Sequence, residues 1–191
     1  MYEYISGKLA SLTAATAVVD CGGVGYLLEI TLNTYSAIQD KQEVKLWVHE
    51  VIREDAHILC GFFTQKEREM FRLLLGVNGV GAATARMMLS SLSVEELTNA
   101  IATKDVKLVQ RVKGIGAKTA QRIVLELQDK VGAVSTDASI ATSPLVSHNK
   151  EEALSALVML GFPKAAADKV LQSLDNNLNV EGLIKEALKI L

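Results

Sequence analysis

Aromatic residues are scarce in this chain. They make up 5% of 191 residues and include a single tryptophan, so any core must be built mainly from Leu, Val, Ile and Ala. Cysteine is nearly absent too. Cys21 and Cys60 lie far apart, with no CxxC motif and no histidine at ligand spacing, so two buried reduced thiols are expected rather than a disulfide or a metal site. No stretch approaches the roughly 18 uncharged apolar residues that a bilayer span requires. Met1-Tyr2-Glu3 opens the sequence without a basic or apolar leader, which gives the expectation of a soluble cytoplasmic protein. His49, His57 and His148 are scattered and form no catalytic or metal-binding pattern. A hydrophobic fraction of 49% excludes wholesale disorder.

Charge is low overall and unevenly placed. The formal net charge is −2, which by itself argues against nucleic-acid binding. Residues 1–62 carry four Lys/Arg against eight Asp/Glu, a net of −4. Residues 63–131 carry eleven against seven, a net of +4, and residues 132–191 five against seven, a net of −2. Attraction to phosphate would therefore be confined to the middle of the chain.

Three segments follow from periodicity, giving an α+β multidomain chain. Residues 1–63 read as short alternating strands with glycine punctuation: Tyr4–Leu9, Thr16–Asp20, Gly25–Ile30, Val44–Val48 and His57–Leu59. That spacing predicts a small closed, OB-like β-barrel. From Thr64 the period becomes helical. Thr64-Gln65-Lys66-Glu67 and Ser93-Val94-Glu95-Glu96 both have the form of capping boxes, and four or five short helices are expected over 64–131. Residues 132–148, rich in Ser, Thr and Ala, read as a flexible linker. Residues 149–191 read as a three-helix, UBA-like module, with Asn149 capping its first helix and Pro163 at the first position of its second.

A repeat in the middle segment carries the chemistry. Val77-Asn78-Gly79-Val80-Gly81-Ala82-Ala83-Thr84-Ala85 aligns with Val112-Lys113-Gly114-Ile115-Gly116-Ala117-Lys118-Thr119-Ala120. Each copy joins two helical stretches, as in a helix–hairpin–helix unit. The first glycine of each, Gly79 or Gly114, supplies a backbone angle that other residues resist. Val80 or Ile115 plugs the turn into the core. The second glycine, Gly81 or Gly116, leaves no side chain between the backbone and an approaching phosphate. The helix that follows presents unpaired N–H groups at the positive end of its dipole, a sequence-independent phosphate cradle. Lys113, Lys118 and Arg122 add charge around the second turn, and Thr84 and Thr119 can each donate a hydroxyl. Tandem copies would contact both strands of a duplex without reading bases.

Catalytic alternatives are thin. Gly114-Ile115-Gly116-Ala117-Lys118-Thr119 superficially resembles a phosphate-binding Walker A loop, but that loop needs glycine where Val112 and Ala117 stand. A base-excision glycosylase shares the hairpin, yet only Asp129 is near enough to serve as its acid. No catalytic residue, metal or cofactor is expected. The remaining alternatives are a repair enzyme with an unrecognised site and an adaptor whose hairpins bind protein.

Four motifs, in this order, carry a specific resemblance: Gly22-Gly23-Val24-Gly25-Tyr26, Arg53-Glu54-Asp55-Ala56, Asn78-Gly79-Val80-Gly81, and Gly114-Ile115-Gly116-x-Lys118-Thr119-Ala120. Over essentially its whole length the chain resembles the RuvA family, the Holliday-junction-binding subunits of bacterial branch-migration complexes. The resemblance implies a non-catalytic subunit acting in recombination, DNA repair and the SOS response to DNA damage. It implies a homotetramer, or an octamer on DNA, that holds four duplex arms open and planar. It places an acidic pin at Glu54 and Asp55, where carboxylates would repel phosphates at the crossover. It implies that the tail docks on the hexameric ATPase RuvB, which would use the ATP and magnesium, and that the resolvase RuvC joins the assembly. A docking face would be drawn from Leu157, Leu160, Phe162, Leu171 and Leu174, although the core of the three-helix module is the expected place for most of them. The chain departs from the family pattern at Ala83 and Ala117, where relatives often carry lysine, and at Lys113, which replaces a common proline.

Overall fold

The computed structural model describes residues 1–131, 145–175 and 178–191. The chain divides into two compact units, Met1–Asp137 and Ala138–Leu191.

In the first unit β1 (Tyr4–Leu12), β2 (Thr16–Asp20), β3 (Gly25–Ile30), β4 (Glu43–Arg53) and β5 (Ala56–Phe62) close a barrel in the order β1-β2-β3-β5-β4. Neighbours pair antiparallel except β3 with β5. A parallel pair needs a crossover, and here it runs through a short helix, α1 (Leu32–Ile38), and β4. This helix is absent from the sequence reading. Its N-terminal signal is Thr31, whose side chain accepts from the Thr34 N–H, but seven residues are too few to show a helical period. Alternation decides which side chains enter the barrel. Val44, Leu46 and Val48 point inward to meet Ile5, Ala17, Val19, Leu28, Ile30 and Ile38, whereas Lys45 and Trp47 face out.

Five helices follow: α2 (Gln65–Leu75), α3 (Ala82–Ser91), α4 (Val94–Ala102), α5 (Val106–Gln110) and α6 (Ala117–Leu127). Their core does not stop at the barrel. Cys60 and Phe62 of β5 are buried with Met70, Phe71 and Leu74 of α2, and that cluster continues through both hairpins to Leu127. The change of period near residue 63 therefore marks a change of secondary structure but no break in packing.

Polar contacts fasten the same junction. Arg68, almost fully buried, donates through Nη1 to the Glu3 carbonyl at 2.9 Å and through Nη2 to the Glu3 carboxylate at 2.6 Å. Asn33 of α1 donates to the Leu89 carbonyl of α3 at 2.6 Å. Of the two expected capping boxes only one forms. Ser93 and Glu96 bond reciprocally at 2.8 and 3.1 Å. Thr64 accepts from the Glu67 N–H at 3.1 Å, but the Glu67 carboxylate turns inward and accepts from the Thr31 and Thr34 hydroxyls instead. Burial against the barrel offers this carboxylate two hydroxyl donors, which compete successfully with one exposed backbone N–H.

The second unit holds α7 (Leu145–Met159), α8 (Lys164–Ser173) and α9 (Val180–Ile190) around Ala153, Leu157, Ala167, Leu171, Leu183 and Ala187. Two expectations are corrected. The helix expected to begin after a cap at Asn149 begins at Leu145, since 145–148 contain neither glycine nor proline to stop it; the rest of the expected linker, 132–144, lies outside the described residues. Pro163 is the N-cap of α8 rather than its first helical residue. Gly161, at φ 98°, ends α7 with paired bonds, from its own N–H to the Val158 carbonyl at 3.0 Å and from the Phe162 N–H to the Leu157 carbonyl at 3.1 Å.

Candidate nucleic-acid interface

The two Gly-x-Gly turns superimpose in their local chemistry. Val77 and Val112 are buried, and their carbonyls accept from the N–H groups of Val80 and Ile115 at 3.0 and 3.1 Å. Gly79 and Gly114, third in each four-residue turn, have φ of 89° and 87°, the sign that a type II turn demands there. Val80 and Ile115 are each 6% exposed and sit in the shared core. Asn78 and Lys113, second in each turn, face solvent.

The second glycines have a different reason to be there. Gly81 and Gly116 have φ of −92° and −77°, values open to any residue, and a Cβ built on either meets no atom within 4 Å. Nothing inside the fold requires glycine at these positions. A side chain there would instead occupy the space directly over the start of the following helix. Each glycine is the N-cap of that helix and supplies no side-chain bond. The first intrahelical bonds are those of Ala85 to Gly81 and Ala120 to Gly116, both 2.9 Å, so the N–H groups of Ala82, Ala83 and Thr84, and of Ala117, Lys118 and Thr119, have no partner within their helices. By contrast α1, α2, α4 and α5 are closed by the side chains of Thr31, Thr64, Ser93 and Asp105. Among the described residues of this unit, the two hairpin helices are the ones left open at the dipole's positive end.

The side chains around the turns differ between copies. Lys113 and Lys118 are exposed beside the second turn, where the first has Asn78 and Ala83. Thr84 and Thr119 are both half-buried, and neither hydroxyl has a partner among the described residues. Arg122, read from sequence as part of the second turn's charge, reaches the first turn. Its Nη1 donates to the Asn78 carbonyl at 3.1 Å while its Nε lies 3.8 Å from Glu126. A contact spanning 44 residues leaves no local mark in the sequence.

At the far end of the β4–β5 ribbon, Arg53 pairs with Ala56, which makes Glu54-Asp55 a two-residue tip with both residues exposed. The Asp55 carboxylate is 82% exposed and 3.8 Å from Arg53 Nε, a solvated pair that leaves the acidic tip accessible. Further down the ribbon His57 Nε2 contacts the Glu50 carboxylate at 2.5 Å.

Among the described residues no cluster of His, Cys, Asp and Glu is arranged to hold a metal ion, and no helix is long and apolar enough to cross a membrane. Cys60 is buried, and burial pushes its thiol up to about 11, with Arg86 opposing that shift. Cys21 is only partly buried, contrary to the expectation, and donates to the Ser6 carbonyl at 3.2 Å. Both cysteines are free thiols.

In the second unit the apolar face expected for docking is largely interior. Leu157 and Leu171 are core residues, and Phe162 and Leu174 pack against them. Leu160, at 61% exposed, is the one member of that set left open to solvent. The residues that join it at the surface are Val158 and Met159, off the buried i, i+4 stripe of Ala153 and Leu157, with Leu188 and Ile190 of α9 also exposed.

Comparison with known proteins covers the same three regions. Residues 1–61 match the family described as RuvA N terminal domain, residues 71–129 the SAM-like helix-hairpin-helix tandem, and residues 149–191 the RuvA C-terminal domain. The chain is 49% identical over 199 residues to the Holliday junction branch migration complex subunit RuvA of Bacteroides thetaiotaomicron, covering 99% of both chains. It is 48% identical over 196 residues to the protein of the same name from Parabacteroides distasonis, covering all of both, and 47% identical over 192 residues to that of Christiangramia forsetii, covering 99% of both. Near-complete coverage at these identities, with both glycine turns and the acidic ribbon tip in place, means that the chain belongs to the RuvA family.

Proposed function

We propose that this protein binds four-way DNA junctions through its paired hairpins and holds them for branch migration, without chemistry of its own. The observation that carries this reading is the pair of open helix N-termini at Gly81 and Gly116. Both are cleared of side chains for no intramolecular reason, and both stand on one continuous core. Backbone N–H groups at a helix start take phosphate oxygens without reading bases. That suits a ligand defined by shape rather than by sequence.

Glu54 and Asp55, at the exposed tip of the ribbon, supply the opposite sign. Several subunits around a crossover would bring several such tips together, and their carboxylates would repel phosphates at the centre while the hairpins hold the arms. This arrangement requires an oligomer, a tetramer or a pair of tetramers, working in the cytoplasm. No cofactor is needed on this chain. The work of migration falls to a partner ATPase of the RuvB type using ATP and magnesium, docked on the second unit through the exposed side chains of Val158, Met159 and Leu160. A resolvase of the RuvC type would share the junction.

The test is a comparison of binding to a four-way junction and to linear duplex of the same sequence, at fixed salt. Junction affinity well above duplex affinity is expected. Equal affinity for both would defeat the junction reading, and binding to neither would turn attention to the adaptor alternative. Cleavage of the junction by pure protein in magnesium would revive an enzyme.

A further inference from the structure

The geometry points to Arg122 as a positioning residue that sets the backbone of the first hairpin, rather than as one more cation for phosphate. This rests on the hairpins being the DNA-binding elements. Arg122 leaves α6, beyond the second hairpin, and its Nη1 donates to the Asn78 carbonyl of the first turn at 3.1 Å. That carbonyl belongs to the peptide between Asn78 and Gly79, the central peptide of the Val77–Val80 turn. Type I and type II turns differ by rotation of this one peptide plane. Gly79, at φ 89°, has the type II sign, and a donor fixed on the Asn78 oxygen holds the plane in that state.

The two copies differ in this respect. At the 35-residue offset of the repeat, the position corresponding to Arg122 is Met87, and the position corresponding to Asn78 is Lys113. Met87 has no N–H to donate from its side chain, so the second turn receives no equivalent bond. The clamp thus serves the hairpin that lacks flanking lysine. Ala83 stands there where Lys118 stands in the second copy, so phosphate contact at the first turn depends on how its backbone N–H groups are aimed.

Glu126 lies 3.8 Å from the Arg122 Nε, one helical turn on, and with both side chains about half exposed this is a solvated neighbour that adds little to the clamp. The bond from Nη1 to the Asn78 carbonyl directs that edge of the guanidinium at the turn, whereas a cation that neutralised a phosphate would displace counterions from the DNA and steepen the salt dependence.

Two measurements on the full chain decide the matter, using Arg122→Met and the neutral, two-atoms-shorter Arg122→Gln in case the first loses its fold. In the DNA-free protein, amide exchange at Val80, whose N–H closes the first turn, should quicken while that at Ile115 is unchanged and the melting temperature barely moves. With a four-way junction as probe, affinity should fall roughly three- to tenfold, the scale of ordering one contact group. The slope of log affinity against log salt should stay at its wild-type value. A slope shallower by about 0.9 with unchanged exchange at Val80 overturns the proposal, since that is the signature of one lost phosphate contact. Unchanged exchange and unchanged affinity overturn it as well. If the wild-type protein fails to bind the junction, the functional reading falls, while the exchange measurement still judges the clamp.

Discussion

Arg86 of α3 and Glu29 of β3 meet at 2.7 Å, so the second helix of the first hairpin is tied directly to the barrel. The pair is mostly sheltered, and Arg86 Nε has no hydrogen-bond partner among the described residues. Removing either partner would leave the other charge poorly solvated. A double-mutant cycle over Glu29→Gln and Arg86→Met should therefore show a coupling of about 1–2 kcal/mol by chemical denaturation, well above the usual few tenths for an exposed pair. Additive single effects would show that the contact contributes nothing to stability.

The glycines of each turn should separate by mutation into two classes. Gly79→Ala and Gly114→Ala force a Cβ onto a backbone with positive φ and should each cost about 1–2 kcal/mol of stability. Gly81→Ala and Gly116→Ala meet no neighbouring atom and should leave the melting temperature within a degree or two. These last two should nevertheless lose most junction binding, and bulkier residues should abolish it. Intact binding by the Gly81→Ala/Gly116→Ala double variant would show that no phosphate comes close to those N–H groups.

Glu67 gives a pH-dependent prediction. Burial raises its carboxyl above the ordinary 4.5, and the hydroxyls of Thr31 and Thr34 offset only part of that. A carboxyl whose pKa is higher in the folded state favours folding in its neutral form. Its ionisation penalty is absent at pH below the unfolded value, grows as pH rises through the folded value, and is constant above it. Glu67→Gln abolishes the ionisation while keeping the shape, so its melting temperature relative to wild type should climb as pH rises from about 4 to 7. A constant difference across that range would count against a raised folded pKa.

Salt dependence should register the missing lysine. The first hairpin has Ala83 where the second has Lys118, so the protein should show a shallower salt slope than lysine-rich relatives. Ala83→Lys should strengthen junction binding at low salt and steepen the slope by about 0.9. Titrations between roughly 50 and 300 mM salt would measure it, and an unchanged slope would place residue 83 away from the DNA.

Much of the fold and of the site could be read from the residues alone, because the signals involved act over three or four positions. Alternating Val44, Leu46 and Val48 define a strand whatever surrounds it. A turn with glycine third in order and an apolar residue fourth dictates its own φ and its own plug, and so both hairpins were legible. The failures are equally local in origin. Seven residues at Leu32–Ile38 are too few to display a period, and a four-residue box at Thr64–Glu67 cannot reveal that its carboxylate has better partners elsewhere.

The amino-acid sequence by itself thus determined the turns and the open helix starts, both set by backbone geometry and near-neighbour chemistry. The acidic tip at Glu54 and Asp55, by contrast, was legible only through the resemblance to a known family. Tertiary structure alone decided which long side chains found which partners. It sent Arg122 44 residues back to Asn78, turned Glu67 inward to Thr31 and Thr34, buried Leu157 and Leu171 while leaving Leu160 outside, and ran one core from β5 into the hairpins. The physical reason is that a polar side chain goes wherever burial leaves it the best-satisfied set of hydrogen bonds, and that competition is settled only when distant segments pack together.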